Sequence, residues 1–416
     1  MKKTRLLILC IVILSLSFSL TACALILTNP SSSQEYFKDM DLLTQVLEFI
    51  DNTYITGLDV DQADVMASMY VVNGLDDFSN IYAVDSLKGA TSSGLGLSLT
   101  VTKYNEYYID FIYENSPAKV TQFEDGFSLQ RGDEIYAING ERVSGLDRYY
   151  FNKATEGADG TGLALTIKRD GVILDKSYTY EKATFTTKEV YYQNDLGGDI
   201  SNDLGYIRLM SFTGETTVED FDHAITTWRG DNNKGLILDL RSNGGGNSNI
   251  LAKIASYFVN LEEKNSQPIL NFEYKDGGVE RVATVSVNEK GKYINAPVYV
   301  LCNSSTASAA EALIGTIRAF NKENGVIIGQ DTYGKGVCQN APFTLVDKYN
   351  GERVEYEIAV VTGYYYIIDE NVEGGKYNIH KNPIKPDVAI EKEDHYTLLC
   401  YDAEIEMANA LFSEKN

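Results

Sequence analysis

The 416-residue chain holds only three histidines, His223, His380 and His395. None stands in a setting that would make it a metal ligand or the base of a hydrolase. Basic residues are also few: 36 Lys and Arg face 59 Asp and Glu, a formal net charge of −23. No basic stripe forms, which excludes nucleic acid as a partner; the acidity otherwise serves solubility. Of the five cysteines, Cys302, Cys338 and Cys400 are widely spaced, odd in number and without metal-ligand spacing, so they read as structural thiols rather than a disulfide framework. The Gly244-Gly245-Gly246 run lacks the Lys-Ser/Thr of a nucleotide-binding loop, which removes nucleoside phosphates from consideration. What is present is a hydrophobic fraction of 44%, enough for a sizeable core, in a chain long enough for two or three domains.

Lys2, Lys3 and Arg5 precede an apolar run from Leu6 to Leu20 that is shorter than the ~20 residues needed to span a bilayer. Leu20-Thr21-Ala22-Cys23 follows and resembles the bacterial lipobox, in which the cysteine is lipidated and becomes the mature first residue. Residues 1–22 are therefore expected to be a lipoprotein signal peptide and Cys23 a lipid anchor. Residues 23–34, with Asn29-Pro30-Ser31-Ser32-Ser33, read as a flexible tether. The expected location is the bacterial cell envelope, anchored to the membrane and facing outward.

The most informative stretch runs from Val298 to Gln339. Val298-Tyr299-Val300-Leu301-Cys302 is apolar and β-branched, fit for a buried parallel strand. Small polar residues then lead to Leu313, Ile314, Ile317 and Phe320, spaced for one helix face. Ser308 falls near that helix's N-terminus, where unpaired amides suit a developing negative charge. Ala307, Ala309 and Ala310 keep bulk away from its hydroxyl. With histidine scarce, Lys335 is the candidate base, since a desolvated lysine can accept a proton near neutral pH. It sits between Gly334 and Gly336, where the chain can approach another segment closely. Gln339, four residues on, could hold the amine. Ser-Lys pairs are a known form of activated nucleophile.

Thr306-Ala307-Ser308-Ala309-Ala310-Glu311 followed by Thr332-Tyr333-Gly334-Lys335-Gly336-x-x-Gln339 resembles the C-terminal processing peptidases, or tail-specific proteases. The resemblance implies Ser308 as nucleophile, Lys335 as general base and Gln339 as orienting residue. Ala310 stands where the family often has serine. Asp239-Leu240-Arg241-Ser242-Asn243-Gly244-Gly245-Gly246 resembles the family segment whose glycine amide helps form the oxyanion hole. By position this is Gly245, acting with the amide of Ala309; Asp239 and Arg241 are expected to pair and shape the loop. No cofactor or metal is implied.

The remaining chain fits the same frame. Tyr36 to Tyr82 reads mainly helical, with Val65, Met69 and Val72 at helical spacing and a break at Gly74-Leu75-Asp76-Asp77-Phe78-Ser79-Asn80, and resembles the family's N-terminal helical region, residues 35–90 here, often used for dimer contacts. A homodimer is one expectation, a core-facing cap the other. Residues 91–182 resemble a PDZ domain. Ser93-Gly94-Leu95-Gly96-Leu97 matches its carboxylate-binding loop, and Arg131-Gly132-Asp133-Glu134-Ile135 through Asn139-Gly140 matches its hairpin. Gly94, Leu95, Gly96 and Leu97 would bind a peptide's free C-terminus by backbone amides and strand addition. From Gly205 strands and helices alternate, with Thr216 and Thr217 as capping candidates for a helix from Val218 to Trp228. This implies βαβ units with functional loops at the carboxyl ends of parallel strands.

The expected fold is therefore α/β (α+β overall): the N-terminal helical region, an inserted PDZ domain, and a protease domain at 183–416 with a mostly parallel sheet. The expected function is a serine endopeptidase acting on protein or peptide substrates with free C-termini. Two alternatives compete: a catalytically dead lipoprotein scaffold that binds peptides, and a Ser-His esterase. The latter is weakened because no Gly-x-Ser-x-Gly elbow surrounds Ser308.

Overall fold

The computed structural model describes residues 60–83, 91–390 and 403–415, with short interruptions inside the middle range, and Val46 besides. The leader, Cys23, the tether and the residues read as helical before Val60, apart from Val46, lie outside the described residues. The chain divides into two compact units. One comprises Met1–Ser86, Lys275–Arg281 and Gln339–Thr362, the other Leu87–Tyr274, Val282–Cys338 and Gly363–Asn416.

In the first unit, helix α1 (Val60–Asn73) carries Val65, Met69 and Val72 as their spacing predicts. The helix ends at Asn73, where the break is expected, but beyond it Asn80–Ala83 is a strand. It pairs antiparallel with Glu352–Ala359, which pairs in turn with Phe343–Tyr349. The cause is local. The Asp76 carboxylate accepts hydrogen bonds from the amides of Phe78 and Ser79 and from the Ser79 hydroxyl. That side-chain turn competes with continued helix and releases Ile81 and Tyr82 to extended chain.

In the second unit, an antiparallel sheet runs in the order Leu97–Val101, Tyr107–Ile112, Glu134–Ile138, Gly162–Arg169, Val172–Ile173. The short helix α2 (Pro117–Val120) begins where Ser116-Pro117 predicts it. Asn139-Gly140 and Asp170-Gly171 turn the chain with positive φ at both residues of each pair, as two-residue hairpins of right-handed twist require. Asp133 accepts two hydrogen bonds from Arg169, at 2.7 and 2.8 Å, which ties the hairpin to the closing strand. Ile109, Ile135, Ile138, Leu165, Ile167 and Tyr180 form this body's own core.

The other body of this unit is a six-stranded sheet in strict chain order: Val190–Gln193, Leu204–Leu209, Gly235–Asp239, Val298–Cys302, Gly325–Gly329, Val388–Ala389. Only the first pairing is antiparallel; the other four are parallel. Helices α3 (Thr217–Gly230), α4 (Ser248–Ala255) and α5 (Ala309–Phe320) make the crossovers. Period-2 alternation sends Leu236, Leu238, Val298 and Val300 to the face covered by Phe221, Leu251 and Ile314. Ile237, Tyr299 and Leu301 go to the opposite face. There α6 (Ala403–Lys415), a helix the sequence reading did not anticipate, contributes Ala408 and Phe412. The cap of α3 differs from expectation. Thr216 is the N-cap residue but makes no side-chain cap; its hydroxyl donates to Asp220, and Thr217 lies buried inside the helix.

The two bodies are joined by buried charge. Arg208, 2% exposed on its strand, donates to the Asp110 carboxylate at 2.8 Å, and Arg131 donates to the other Asp110 oxygen. Burial acts to raise the Asp110 pKa, but Arg208, Arg131 and Arg241 outweigh it and hold the carboxyl below its ordinary value of 3.8. A folded-state pKa below the unfolded one gives stability that is present above the unfolded value and lost as pH falls through the folded one. Asp110→Ala should therefore cost about 3–5 kcal/mol at neutral pH, because it leaves Arg208 buried without its counter-charge. Urea denaturation should show this difference between wild type and variant shrinking below about pH 4; a difference constant down to about pH 2 would contradict it.

Candidate active site

Three loops at the carboxyl ends of adjacent parallel strands build the site, which is where ligands bind in open α/β sheets. The loop after Val298–Cys302 is fixed by its own polar side chains. Asn303 accepts the Ser242 and Ser305 amides, Thr306 donates its hydroxyl to the Leu240 carbonyl, and the Ala307 amide bonds the Asn243 carbonyl. The chain then enters α5 through Ser308, which has φ 57° and ψ −120°. A positive φ at a non-glycine residue is strained and persists only where its surroundings hold it. Those surroundings include the Glu311 carboxylate one turn along, which accepts the Ser308 amide at 3.0 Å. Ala309 opens α5, where helical amides have no intrahelical acceptor.

The loop after Gly235–Asp239 is shaped as expected by Asp239 and Arg241. They pair through two hydrogen bonds, and Asp239 also accepts the Tyr206 hydroxyl. Burial alone would raise the Asp239 pKa, but Arg241 and Arg208 reverse the sign and leave it strongly lowered. Arg241 reaches on to Glu404 of α6. Gly245 has φ +96°, and a Cβ there would lie 2.6 Å from Ser308 Cβ and 2.7 Å from the Ala309 nitrogen. Glycine is thus required beside Ser308. Its amide, however, donates to Asn243 Oδ1 at 2.9 Å. The expected oxyanion donor is engaged within its own loop in this conformation.

The loop after Gly325–Gly329 carries Lys335. The Thr332 hydroxyl and the Gly334 amide donate to Glu311 Oε1, and the Lys335 amide donates to Glu311 Oε2 at 2.9 Å. Oε2 is the oxygen that also takes the Ser308 amide. The two nitrogens can be no farther apart than the sum of those two bond lengths. Gly336 passes so close to the His380 backbone that a Cβ would overlap it, which bears out the close approach inferred from the flanking glycines. Tyr365 donates its hydroxyl to the Lys335 carbonyl at 2.6 Å. Burial and the nearby Glu311 charge push its pKa well up, with Ser308 acting in the opposite direction.

The structure therefore brings Ser308, Ala309, Gly245 and the Lys335 backbone together. Gln339 is placed in the first unit, where its Nε2 donates to the Phe78 carbonyl at 2.6 Å. Gly94, Leu95, Gly96 and Leu97 border a separate cavity of about 280 Å³, closed on other sides by Ile138 and Phe151, with Lys182 also lining it. The Lys182 ammonium donates to the Thr155 and Gly157 carbonyls. Among the described residues no group of three or more His, Cys, Asp or Glu is arranged to hold a metal. Cys302 is buried, which pushes its thiol up to about 12, as befits an inert structural residue.

Two participants escaped the sequence reading. Glu311 had a signal, since a glutamate three residues after a serine at a helix start is a capping pattern. Tyr365 had none, because its contact with Lys335 exists only through tertiary packing.

Residues 203–390 match Peptidase family S41. The chain is 29% identical over 406 residues to the carboxy-terminal processing protease CtpA of Bacillus subtilis, covering 96% of this chain and 78% of that one. It is 25% identical over 380 residues to CtpB of the same organism, covering 88% and 72%. A crystal structure from Bacteroides fragilis assigned to the S41 proteases superposes with a TM-score of 0.59 at 19% identity, covering 82% of this chain and 87% of that one; it supports the fold. With a strained serine at the head of α5 facing a glycine loop and a lysine loop, these matches make the chain similar to the C-terminal processing peptidases of family S41 and indicate a serine-type peptidase.

Proposed function

We propose that the protein is an endopeptidase that captures the C-terminal tail of a protein substrate at Gly94–Leu97 and cleaves it with a Ser308-Lys335 pair. The observation that carries this reading is the single carboxylate oxygen of Glu311 bonded to the amides of both Ser308 and Lys335. Ser308 Oγ attacks the scissile carbonyl while the neutral Lys335 amine takes its proton. The amine then protonates the departing amino group, and water attacks the acyl-enzyme by the same route. The Ala309 amide stabilises the oxyanion, and the Gly245 amide joins it once released from Asn243. Gln339 holds the amine in line when the working conformation forms. The 91–182 body acts as a PDZ domain, its cavity taking the terminal side chain and its glycine loop the carboxylate. The chain is tethered to the outer face of a bacterial membrane through a lipid at Cys23, and the N-terminal helical region is its dimer contact.

Ser308→Ala and Lys335→Ala should each lower kcat by at least roughly a thousandfold on a tailed substrate while leaving the thermal melt unchanged. A Lys335→Ala variant with full activity would remove that residue as base. Wild-type activity should fall on acidification as the amine takes up a proton, and a rate flat from about pH 5 to 9 would contradict a lysine base. Gly245→Ala meets both an unfavourable φ and the Ser308 side chain. It should lose roughly a hundredfold or more in kcat yet bind a tail peptide as wild type does in fluorescence anisotropy.

A further inference from the structure

We infer that Glu311 is a positioning residue for the Ser308-Lys335 pair, using one carboxylate to set the nucleophile's helix and the base's loop against each other. The inference rests on the proposed reading and adds a member to it. A helix cap needs only the bond from the Ser308 amide to Glu311. Three further donors reach the same carboxylate from the loop 21 to 24 residues later: the Thr332 hydroxyl and the Gly334 and Lys335 amides. Glu311 is 0% exposed, and every one of these donors is neutral. A buried carboxylate that meets no cation among the described residues is costly to hold. Burial accordingly pushes its pKa up, while the four donors pull it down. Helix capping alone does not call for such a group. What the carboxylate supplies is acceptor capacity, two bonds per oxygen, at a point where both reacting residues are one bond away.

The geometry also says what would fail without it. Glutamine has one acceptor oxygen, and its amide group would confront either the two amides on Oε2 or the hydroxyl and amide on Oε1. One segment would lose its anchor and the amine would drift from the hydroxyl. Misplacement by about 1 Å costs on the order of a hundredfold in rate, whereas tail binding is made elsewhere. Glu311 touches no substrate in this scheme; its effect passes through the backbone of Lys335 and Ser308.

The test uses the full chain in two variants, Glu311→Gln and the milder Thr332→Val, which removes one donor to the carboxylate and one acceptor for the Ile384 amide. The measurements are kcat and KM on a tailed peptide, the rate of fluorophosphonate labelling of Ser308, and the pH profile of kcat/KM. The expected result is a kcat loss of roughly a hundredfold for Glu311→Gln and roughly fivefold to tenfold for Thr332→Val, with KM within about threefold in both. Labelling should slow in proportion, and the acid limb should move in both variants because the amine's surroundings change. A purely structural role would lower the melting temperature and leave the acid limb in place. A folded variant with kcat within about twofold of wild type and an unmoved limb overturns the inference. If Glu311→Gln does not fold, Thr332→Val decides alone by the same criteria. A wild-type chain that neither cuts tailed peptides nor reacts with fluorophosphonate sinks the underlying reading, and the inference with it.

Discussion

Four hydrogen bonds converge on the Glu311 carboxylate, and the arrangement of the site follows from them. A buried anion with no counter-ion among the described residues must be satisfied by donors from several directions at once, and that requirement dictates which segments meet. Here the donors are the amide of the strained Ser308 and three groups of the 332–335 loop. Tyr365 completes the hold on Lys335 by bonding its carbonyl, so both polar atoms of that backbone residue are engaged. The positive φ of Ser308 is therefore one part of a mutually constrained set.

The sheet supplies the coarser alignment. Strands Gly235–Asp239, Val298–Cys302 and Gly325–Gly329 run parallel and adjacent, so the loops at their carboxyl ends open side by side. Gly245 can come up to Ser308 because its own loop is held from below by Asn243. That side chain bonds the Leu209 carbonyl and the Gly245 amide, and its carbonyl takes the Ala307 amide. The same bond that shapes the loop keeps the Gly245 amide occupied, so shape and donor availability compete at one atom.

A second buried polar system runs beneath the site. Glu404 of the C-terminal helix meets Arg241, Arg241 pairs with Asp239, and Asp239 takes the Tyr206 hydroxyl. Two residues along the same strand, Arg208 pairs with Asp110 of the antiparallel body. Ionic groups at this depth are satisfied only when all their partners are in place. The charges thus specify where the C-terminal helix and the antiparallel body dock, while the apolar faces on either side of the sheet supply the bulk of the burial.

Local chemistry made much of this legible in the residues themselves. The alternation of strand and helix after Gly205 follows from apolar periodicity, the hairpins at Asn139-Gly140 and Asp170-Gly171 from φ > 0 at residues that tolerate it, and the choice of Ser308 and Lys335 as candidates from motifs that resemble those of a known family. The strand at Asn80–Ala83 was lost to the helical reading because its partner lies more than 270 residues away in the chain. The helix at 403–415 was missed because its stability comes from Phe412 and Ala408 packing on the rear of the sheet. What the order of amino acids determined unaided was the set of elements and the chemistry of the groups they carry, since propensity, capping and turn conformation act over a few residues. Only the folded chain decided which donors reach Glu311, that Tyr365 bonds the Lys335 carbonyl, and that the Gly245 amide turns to Asn243. Those bonds join segments brought within reach by sheet register and burial, and no local signal encodes a distance across the fold.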